Sequence, residues 1–290
     1  MSNIVFSIVS PAIRTENWLK VYNSILPSNH KFEIIFAGPR KPEYKLPVNF
    51  RYIYTNVKPA QCWEILYQEA RGQYIINIGD DFIYKTKSPL NYIYKELQQT
   101  SKKKILLGMR YKFRDIDQTM DQNFRINNNT TVSKLLPVCP PLKKDLWYKY
   151  GRFDSRFICT LMEADFFMRM VYDGYDVIIS KVVISEEKFL EDNRKMSRDY
   201  MRIDRKLMMN LWTYKKNNIE FFSLKRNHPV KNFNQKNLYT KSAKPAGRWS
   251  NNFKIYNQFI SSKFFYKINL YYYLRMLLYK IKQKLLSILK

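Results

Sequence analysis

The sequence predicts an α/β protein with a mostly parallel sheet flanked by helices. Short apolar runs rich in β-branched residues alternate with segments of helical character through the first 215 or so residues. Their order begins strand, helix, strand, strand, helix, strand, which is typical of a parallel sheet covered by helices. The apolar fraction of 46% is ample for a buried core, so a wholly disordered chain is excluded.

The first half of the chain provides most of the predicted sheet. Apolar runs predict strands at 3–9, 32–36, 50–54 and 74–78. Helices are expected at 16–26, where Pro27 stops the helix, and at 59–71. The second of these begins with Pro59 and is followed by Gly72, a usual pair of helix boundary signals.

The second half repeats the alternation less regularly. Strands are expected at 104–109, 135–139 and 176–180, and helices at 89–99, 143–150, 163–172 and 197–214. Residues 110–132 are polar and contain three consecutive asparagines, so they predict a long loop or a hairpin.

Charge is distributed unevenly along the chain. Its 51 Lys and Arg residues outnumber 24 acids, for a net charge of +27. Such an excess indicates an anionic partner, namely nucleotide phosphates, nucleic acid or an anionic membrane. Residues 221–290 hold 15 of the basic residues and no acid. We therefore predict a domain at 1–220, followed at 221–290 by a basic linker and a C-terminal amphipathic helical region.

Cysteine usage and hydropathy bear on the compartment. Cys62, Cys139 and Cys159 are far apart and form no CxxC pair, which argues against a disulfide scaffold or a structural zinc site. The N-terminus shows no signal peptide, and no run of 18 apolar residues predicts a spanning helix. We expect a cytoplasmic protein, with peripheral membrane attachment as an option.

A pair of carboxylates, Asp80 and Asp81, directly follows the strand predicted at 74–78. Ligands of open α/β sheets bind at the carboxyl ends of the strands. Adjacent carboxylates there repel unless a cation holds them, and oxygen ligands suit Mg²⁺ or Mn²⁺. The alternative is a solvated turn, because Gly and Asp are ordinary turn residues.

Three blocks, in order, resemble the catalytic domain of glycosyltransferase family 2, which has the Rossmann-like GT-A fold. The first is an N-terminal strand with a proline-containing loop, followed by a second short strand. The second is a helix running into a Gly-x-Tyr-Ile-type strand and a DxD-type motif. The third is a series of basic-Asp, Gly-x-Phe-Asp, acidic and Gly-Tyr motifs. In this chain the second and third blocks comprise 59–81, Lys143–Leu146, Gly151–Asp154, Glu163–Arg169 and Asp173–Tyr175. The segment that contains Asp204 and Trp212 resembles the helix that closes the domain in this family.

The resemblance implies a metal-dependent, inverting transfer of a sugar from a nucleoside-diphosphate donor to a hydroxyl of a glycan or glycolipid. Mn²⁺ or Mg²⁺ would be held by Asp81, with Asp80, and the first expectation for the donor is a UDP-sugar. The general base would be Glu163 or Asp165. The implied nucleotide-sugar contacts are Pro11, Arg14, Gly38, Lys58, Gln61 and Asp80.

The chain departs from the family pattern at three places. Gly79 stands where the DxD motif has its first aspartate. The segment 37–40 replaces the acidic pair that usually holds the base. Met162 stands where the base aspartate is expected, which leaves Glu163 and Asp165 as alternatives. Arg14 and Lys58 also fit plain surface charges, and Arg169 fits a structural ion pair.

Two other functions are consistent with the sequence. The charge and 23 tyrosines would suit nucleic-acid binding, although no recognised nucleic-acid-binding motif is present, and we expect no nucleic-acid partner. The altered motifs would suit a non-catalytic sugar-nucleotide binder. The segment 264–290 predicts a helix with an apolar stripe, which either packs on protein or lies on an anionic membrane.

Overall fold

The computed structural model describes residues 4–100, 104–113, 116–117, 123–125, 131–187, 195–216, 219–222 and 225–240. The basic segment predicted to be helical, 264–290, lies outside the described residues. Within the described residues, no helix is both long enough and apolar enough to cross a membrane.

Thirteen strands and six α-helices make up the described part of the chain. The strands are β1 Phe6–Pro11, β2 Phe32–Gly38, β3 Phe50–Tyr54, β4 Tyr74–Asn77, β5 Phe82–Tyr84, β6 Ile105–Phe113, β7 Ile116–Asp117, β8 Asn123–Arg125, β9 Thr131–Leu135, β10 Leu142–Lys143, β11 Asp176–Glu187, β12 Thr213–Lys216 and β13 Ile219–Phe222. The helices are α1 Trp18–Ile25, α2 Pro59–Glu69, α3 Pro89–Gln99, α4 Lys144–Lys149, α5 Met162–Tyr172 and α6 Lys195–Trp212.

The central sheet has the strand order β10-β4-β1-β2-β3. Strands β4, β1, β2 and β3 are parallel, and β10 joins the edge of β4 in the antiparallel sense. All seven residues of β2 are buried, as expected for a parallel strand covered on both faces. The predicted α/β class with a mostly parallel sheet is thereby confirmed.

Two hydrophobic clusters cover the two faces of this sheet. Successive residues of β2 belong to them alternately, because neighbouring side chains of a strand point to opposite faces. Ile34 and Phe36 join a cluster that contains Trp18 of α1 and Leu90 of α3. Ile35 and Ala37 join a second cluster, which contains residues of α2, α4, α5 and α6. The sheet is therefore sandwiched between two layers of helices.

A second sheet has the order β5-β11-β6-β7. Strands β11 and β6 are parallel, while β5 and β7 pair antiparallel with them. The register of β11 against β6 shifts between Ile179 and Ile184. This irregularity divides β11, whose first part is the strand predicted at 176–180.

Some element predictions agree only in part. The region 110–132, predicted as a long loop or a hairpin, contains the end of β6, β7, β8 and the start of β9, and the antiparallel pairing of β8 with β9 agrees with the hairpin. The strand predicted at 135–139 is wrong, because β9 ends at Leu135 and Cys139 has a φ of 47° ahead of two prolines. The three-residue strand β5 was too short to be recognised from its own sequence.

Candidate active site

A cavity of about 480 Å³ opens where β1 and β4 end. Side chains from both sheets, from α2 and from the segment before α5 meet there. The lining residues are Ser10, Pro11, Arg14, Pro59, Trp63, Asn77, Ile78, Gly79, Asp80, Asp81, Phe82, Tyr111, Val138, Cys139, Cys159, Thr160 and Glu163. The cavity thus lies at the carboxyl edge of the sheet, where the Asp80–Asp81 pair predicted a ligand site.

Asp80 joins the ends of β1 and β4. Its Oδ2 accepts hydrogen bonds from the backbone N–H groups of Ile13 and Arg14 at 2.6 and 2.7 Å. Its Oδ1 pairs with the guanidinium of Arg14. The carboxylate is buried, with 2% of the residue exposed, and both of its oxygens are engaged by the loop after β1. Asp80 therefore holds that loop against the end of β4.

Asp81 shares Arg14 with Asp80. Its Oδ2 lies 3.2 Å from Nη1 of Arg14, and the residue is 4% exposed. A Cβ added at Gly79 would sit 2.6 Å from Asp81 Oδ1. The glycine in place of the family's first aspartate thus leaves room for Asp81. Because Arg14 contacts both carboxylates, it is an internal partner of the pair and not a plain surface charge.

The charges of the cavity lining favour a cation. The lining contains three carboxylates, of Asp80, Asp81 and Glu163, and Arg14 supplies the cationic side chain found among these lining residues. A diphosphate entering such a site would meet a net negative charge. A hard divalent cation fits the carboxylate donors. In the described part of the chain, no three His, Cys, Asp or Glu side chains form a metal cluster. If a cation were held here, Asp81 could supply one oxygen ligand, and the remaining ligands would have to come from water or from a bound molecule.

Glu163 lies in the first turn of α5 and lines the cavity. Burial raises the pKa of its carboxyl to about 7, and the charge of Asp204 adds to the shift. A carboxylate with a pKa near neutrality in a cavity is chemically suited to accept a proton from a bound hydroxyl.

Asp165, the alternative base, is placed differently. It is fully buried, and its Oδ1 accepts from Trp212 Nε1 and Arg226 Nε, both at 2.8 Å. Its Oδ2 lies 3.3 Å from Arg169 Nη2, which confirms Arg169 as a structural ion-pair partner. Asp165 is absent from the cavity lining. These contacts connect α5 to α6 and to Arg226, so the role they indicate for Asp165 is structural.

Lys58 and Gln61 are also turned away from the cavity. Lys58 is 1% exposed, donates from Nζ to the carbonyl of Ser155, and lies over the ring of Phe233. Burial lowers its pKa to about 8. Gln61 donates from Nε2 to the carbonyl of Leu238 at 2.5 Å. Both residues hold the segment 225–240 against α2, and neither belongs to the cavity lining.

Pro11 and Gly38, at the ends of β1 and β2, have different positions. Pro11 lines the cavity, whereas Gly38 does not. A Cβ at Gly38 would overlap the carbonyl oxygen of Ala12, so the glycine permits the close approach of the loop after β1. The structure shows a packing reason for Gly38.

The segment before α5 is held by a buried carboxylate on α6. Asp204 accepts the backbone N–H groups of Ile158, Cys159 and Thr160 at 2.9, 2.8 and 2.8 Å. Leu161, the next residue, has a φ of 62°, an unfavourable conformation for a residue with a Cβ. The sequence singled out Asp204 only as part of the closing helix, because its partners lie more than forty positions away.

Sequence reasoning missed most of the cavity wall. Trp63, Tyr111, Cys139 and Thr160 belong to four separate segments that carry no shared motif. One signal was available for this wall: Pro59 and Trp63 are four positions apart and so lie on one side of α2. That spacing indicates packing in the core as well as it indicates a cavity wall.

Replacing Asp204 with Ala should lower the free energy of unfolding by about 3 kcal/mol, because three backbone N–H groups, one of them fully buried, lose a charged acceptor. Urea unfolding followed by circular dichroism measures the change. Asp145→Ala removes an exposed carboxylate and should change stability by about 0.5 kcal/mol. Equal effects of the two substitutions would contradict the structural role of Asp204.

The stability difference between Glu163→Gln and the native chain should depend on pH. Since the folded pKa is about 7 and the ordinary value is 4.5, the unfolded carboxyl loses its proton first. The native chain should therefore lose stability relative to Glu163→Gln as pH rises from about 4.5 to 7, and no further above it. Urea midpoints across this range test it, with the exposed Glu43→Gln as control. A constant difference would contradict the raised pKa of Glu163.

No protein-family model matches the chain, and no curated protein matches it. Among solved structures, the chain is similar to S. aureus TarS at 14% identity and a TM-score of 0.47, over 69% of this chain and 38% of that one. It is also similar to TarS 1-349 in complex with UDP, at 13% identity and a TM-score of 0.48. The similarity to TarS 1-349 in complex with UDP-GlcNAc is at 14% identity and a TM-score of 0.48. Both cover 69% of this chain and 64% of theirs, so the chain spans less than two thirds of each of these proteins.

Proposed function

We propose that the protein is a metal-dependent glycosyltransferase that moves a sugar from a nucleoside-diphosphate donor to a hydroxyl acceptor, with inversion at the anomeric carbon. One observation carries this proposal. The Asp80–Asp81 pair at the end of β4 and Glu163 at the start of α5 line the same cavity. That cavity therefore combines oxygen ligands for a cation with a carboxylate suited to proton transfer.

The donor side is assigned to the ends of β1 and β4. Asp81 would hold Mn²⁺ or Mg²⁺, which when bound supplies positive charge for the diphosphate. Asp80 orients the loop that carries Arg14, so Arg14 is set to contact donor phosphate once Asp81 takes a cation. The donor proposed first is a UDP-sugar, on the resemblance of the sequence motifs. Lys58, Gln61 and Gly38 act on the donor only through the packing of the surrounding elements.

The acceptor side is assigned to Glu163. The acceptor oxygen forms a bond to the anomeric carbon while the bond from that carbon to the diphosphate breaks. The acceptor proton passes to the Glu163 carboxylate, and the nucleoside diphosphate leaves. Because the pKa of Glu163 is about 7, turnover should rise with pH through neutrality as the carboxyl ionises.

Transfer and binding can be separated with a panel of UDP-, GDP-, dTDP- and CDP-sugars, with Mn²⁺ or with EDTA. Native protein should bind one donor in a Mn²⁺-dependent way by calorimetry and release the nucleoside diphosphate on addition of a glycan or glycolipid acceptor. Asp81→Asn should abolish the Mn²⁺-dependent part of binding. Glu163→Gln should keep binding and lower turnover at least about 100-fold, the usual scale of general base catalysis.

Asp165→Asn is the matched control for Glu163→Gln, because both remove one negative charge from the first turn of α5. It should lower stability and turnover together, since Asp165 lies in a buried ion-pair cluster. Binding without turnover in every variant would identify a non-catalytic sugar-nucleotide binder. Absence of both binding and turnover with every donor would contradict the proposed function.

A glycolipid acceptor would be reached most readily by a membrane-bound enzyme. The segment 264–290, which carries an apolar stripe and no acid, is proposed to dock on an anionic membrane. In co-sedimentation with vesicles containing phosphatidylserine, the full chain should bind and a chain ending at residue 240 should not. Salt should weaken the binding only in part, because apolar burial is not screened. Equal binding of both chains would assign the segment to protein packing.

A further inference from the structure

A buried guanidinium, that of Arg226, connects two buried carboxylates. Its side chain is 8% exposed, while Asp154 and Asp165 are fully buried. Arg226 Nη2 lies 2.5 Å from Asp154 Oδ2, and Nε lies 2.8 Å from Asp165 Oδ1. A second contact, from Nη2 to Asp165 Oδ2, is 3.4 Å long. One side chain therefore spans two separate parts of the chain.

The two carboxylates come from segments next to the cavity. Asp154 follows α4, and Asp165 lies in the first turn of α5, two residues after Glu163. Other cations neutralise each carboxylate individually: Arg156 pairs with Asp154, and Arg169 pairs with Asp165. Within the described residues, Arg226 is the cation that contacts both. Because Arg156 and Arg169 already neutralise the two carboxylates, what Arg226 adds is a physical connection between them.

Arg226 is itself firmly held. It belongs to residues 225–240, which we call the clasp. Two of its carbonyl groups accept hydrogen bonds from the rest of the domain. The carbonyl of Lys231 accepts from the backbone N–H of Ser155 at 2.7 Å, and that of Leu238 accepts from the side chain of Gln61. Gln68 of α2 donates to Gln235 at 2.6 Å, and Tyr239 donates to Glu69 at 2.6 Å. The clasp is thus anchored to α2 through residues 235–239 and to Ser155 through Lys231, and Arg226 adds a contact to α5.

The start of α5 needs such support. Leu161, immediately before the helix, is in the left-handed conformation. Such strain persists only where surrounding contacts hold it. Asp204 fixes the backbone of 158–160 on one side of Leu161, and Arg226 fixes Asp165 on the other. Glu163 lies between these two anchors.

We propose that Arg226 is a positioning residue that fixes the first turn of α5 and thereby holds Glu163 at the cavity. The catalytic consequence rests on the proposed function; the positioning of the helix does not. Arg226 lies outside the cavity lining, so its loss should affect the placement of the proton acceptor while leaving the donor contacts at β1 and β4 in place.

The experiment compares Arg226→Met, Arg226→Lys and Arg156→Met in the full chain. Hydrogen exchange followed by mass spectrometry should show about tenfold faster exchange at 161–166 in Arg226→Met, with exchange at 74–78 unchanged. Arg226→Lys keeps the charge and one contact and should restore part of the protection. Arg156→Met removes a cation from Asp154 and one hydrogen bond to the clasp, at the carbonyl of Pro229, but leaves the contact of Arg226 with Asp165, so it should leave exchange at 161–166 as in the native protein.

Steady-state kinetics provide the second readout. With the best donor, Arg226→Met should lower kcat about tenfold and leave the donor KM unchanged, with partial recovery in Arg226→Lys. Unchanged exchange at 161–166, or a uniform rise throughout the chain, would overturn the proposal whatever the kinetics. If no donor is turned over, the proposed function fails, yet the exchange data still decide whether Arg226 fixes the helix.

Discussion

The contact on which the site depends is the carboxylate of Asp80 against the loop after β1. Parallel neighbours β1 and β4 end side by side, and the hydrogen bonds of the sheet do not fix the path of the chain beyond either strand. Asp80 joins the two ends through two backbone N–H groups and the Arg14 guanidinium. Once this loop is in place, Arg14 reaches Asp81, and the close approach of Ala12 to Gly38 becomes possible.

The charge of the cavity lining is opposite in sign to the net charge of the chain. The chain carries +27, yet the cavity lining has three carboxylates to one guanidinium. Three of the acids are therefore gathered at the cavity, while the excess of basic residues lies outside its lining. A diphosphate donor would be attracted by the long-range field of the basic chain. Within the cavity the carboxylates would repel it unless a cation were also present, which is why the proposed function includes Mn²⁺ or Mg²⁺.

Helix α5 serves two purposes through two acids that are nearly adjacent. Glu163 and Asp165 both occupy its first turn, but successive positions of a helix are rotated relative to one another. Glu163 consequently lines the cavity, and Asp165 enters the buried cluster with Arg169, Arg226 and Trp212. The helix is held from behind by ion pairs with excellent geometry, which is the condition under which buried charges are tolerated. The start of the helix therefore keeps Glu163 on the side that faces the cavity.

The sequence by itself determined the sheet, most helices and the position of the Asp80–Asp81 pair. These features arise from local signals: apolar periodicity, proline and glycine at helix ends, and charge directly after a strand. The very short strand β5 and the end of β9 were not predictable in this way, because pairing partners and backbone strain decide them. The motifs that resemble glycosyltransferase family 2 likewise left Glu163 and Asp165 as alternatives for the expected general base.

Only the tertiary structure placed those two acids differently, because the rotation of α5 is set by partners such as Arg226, 61 positions from Asp165. The same holds for Lys58 and Gln61, which meet residues 155 and 238 and not the cavity. A sequence pattern records which side chains are available along each element. Which of them meet is decided by contacts between distant segments, and no periodicity within one segment contains that information.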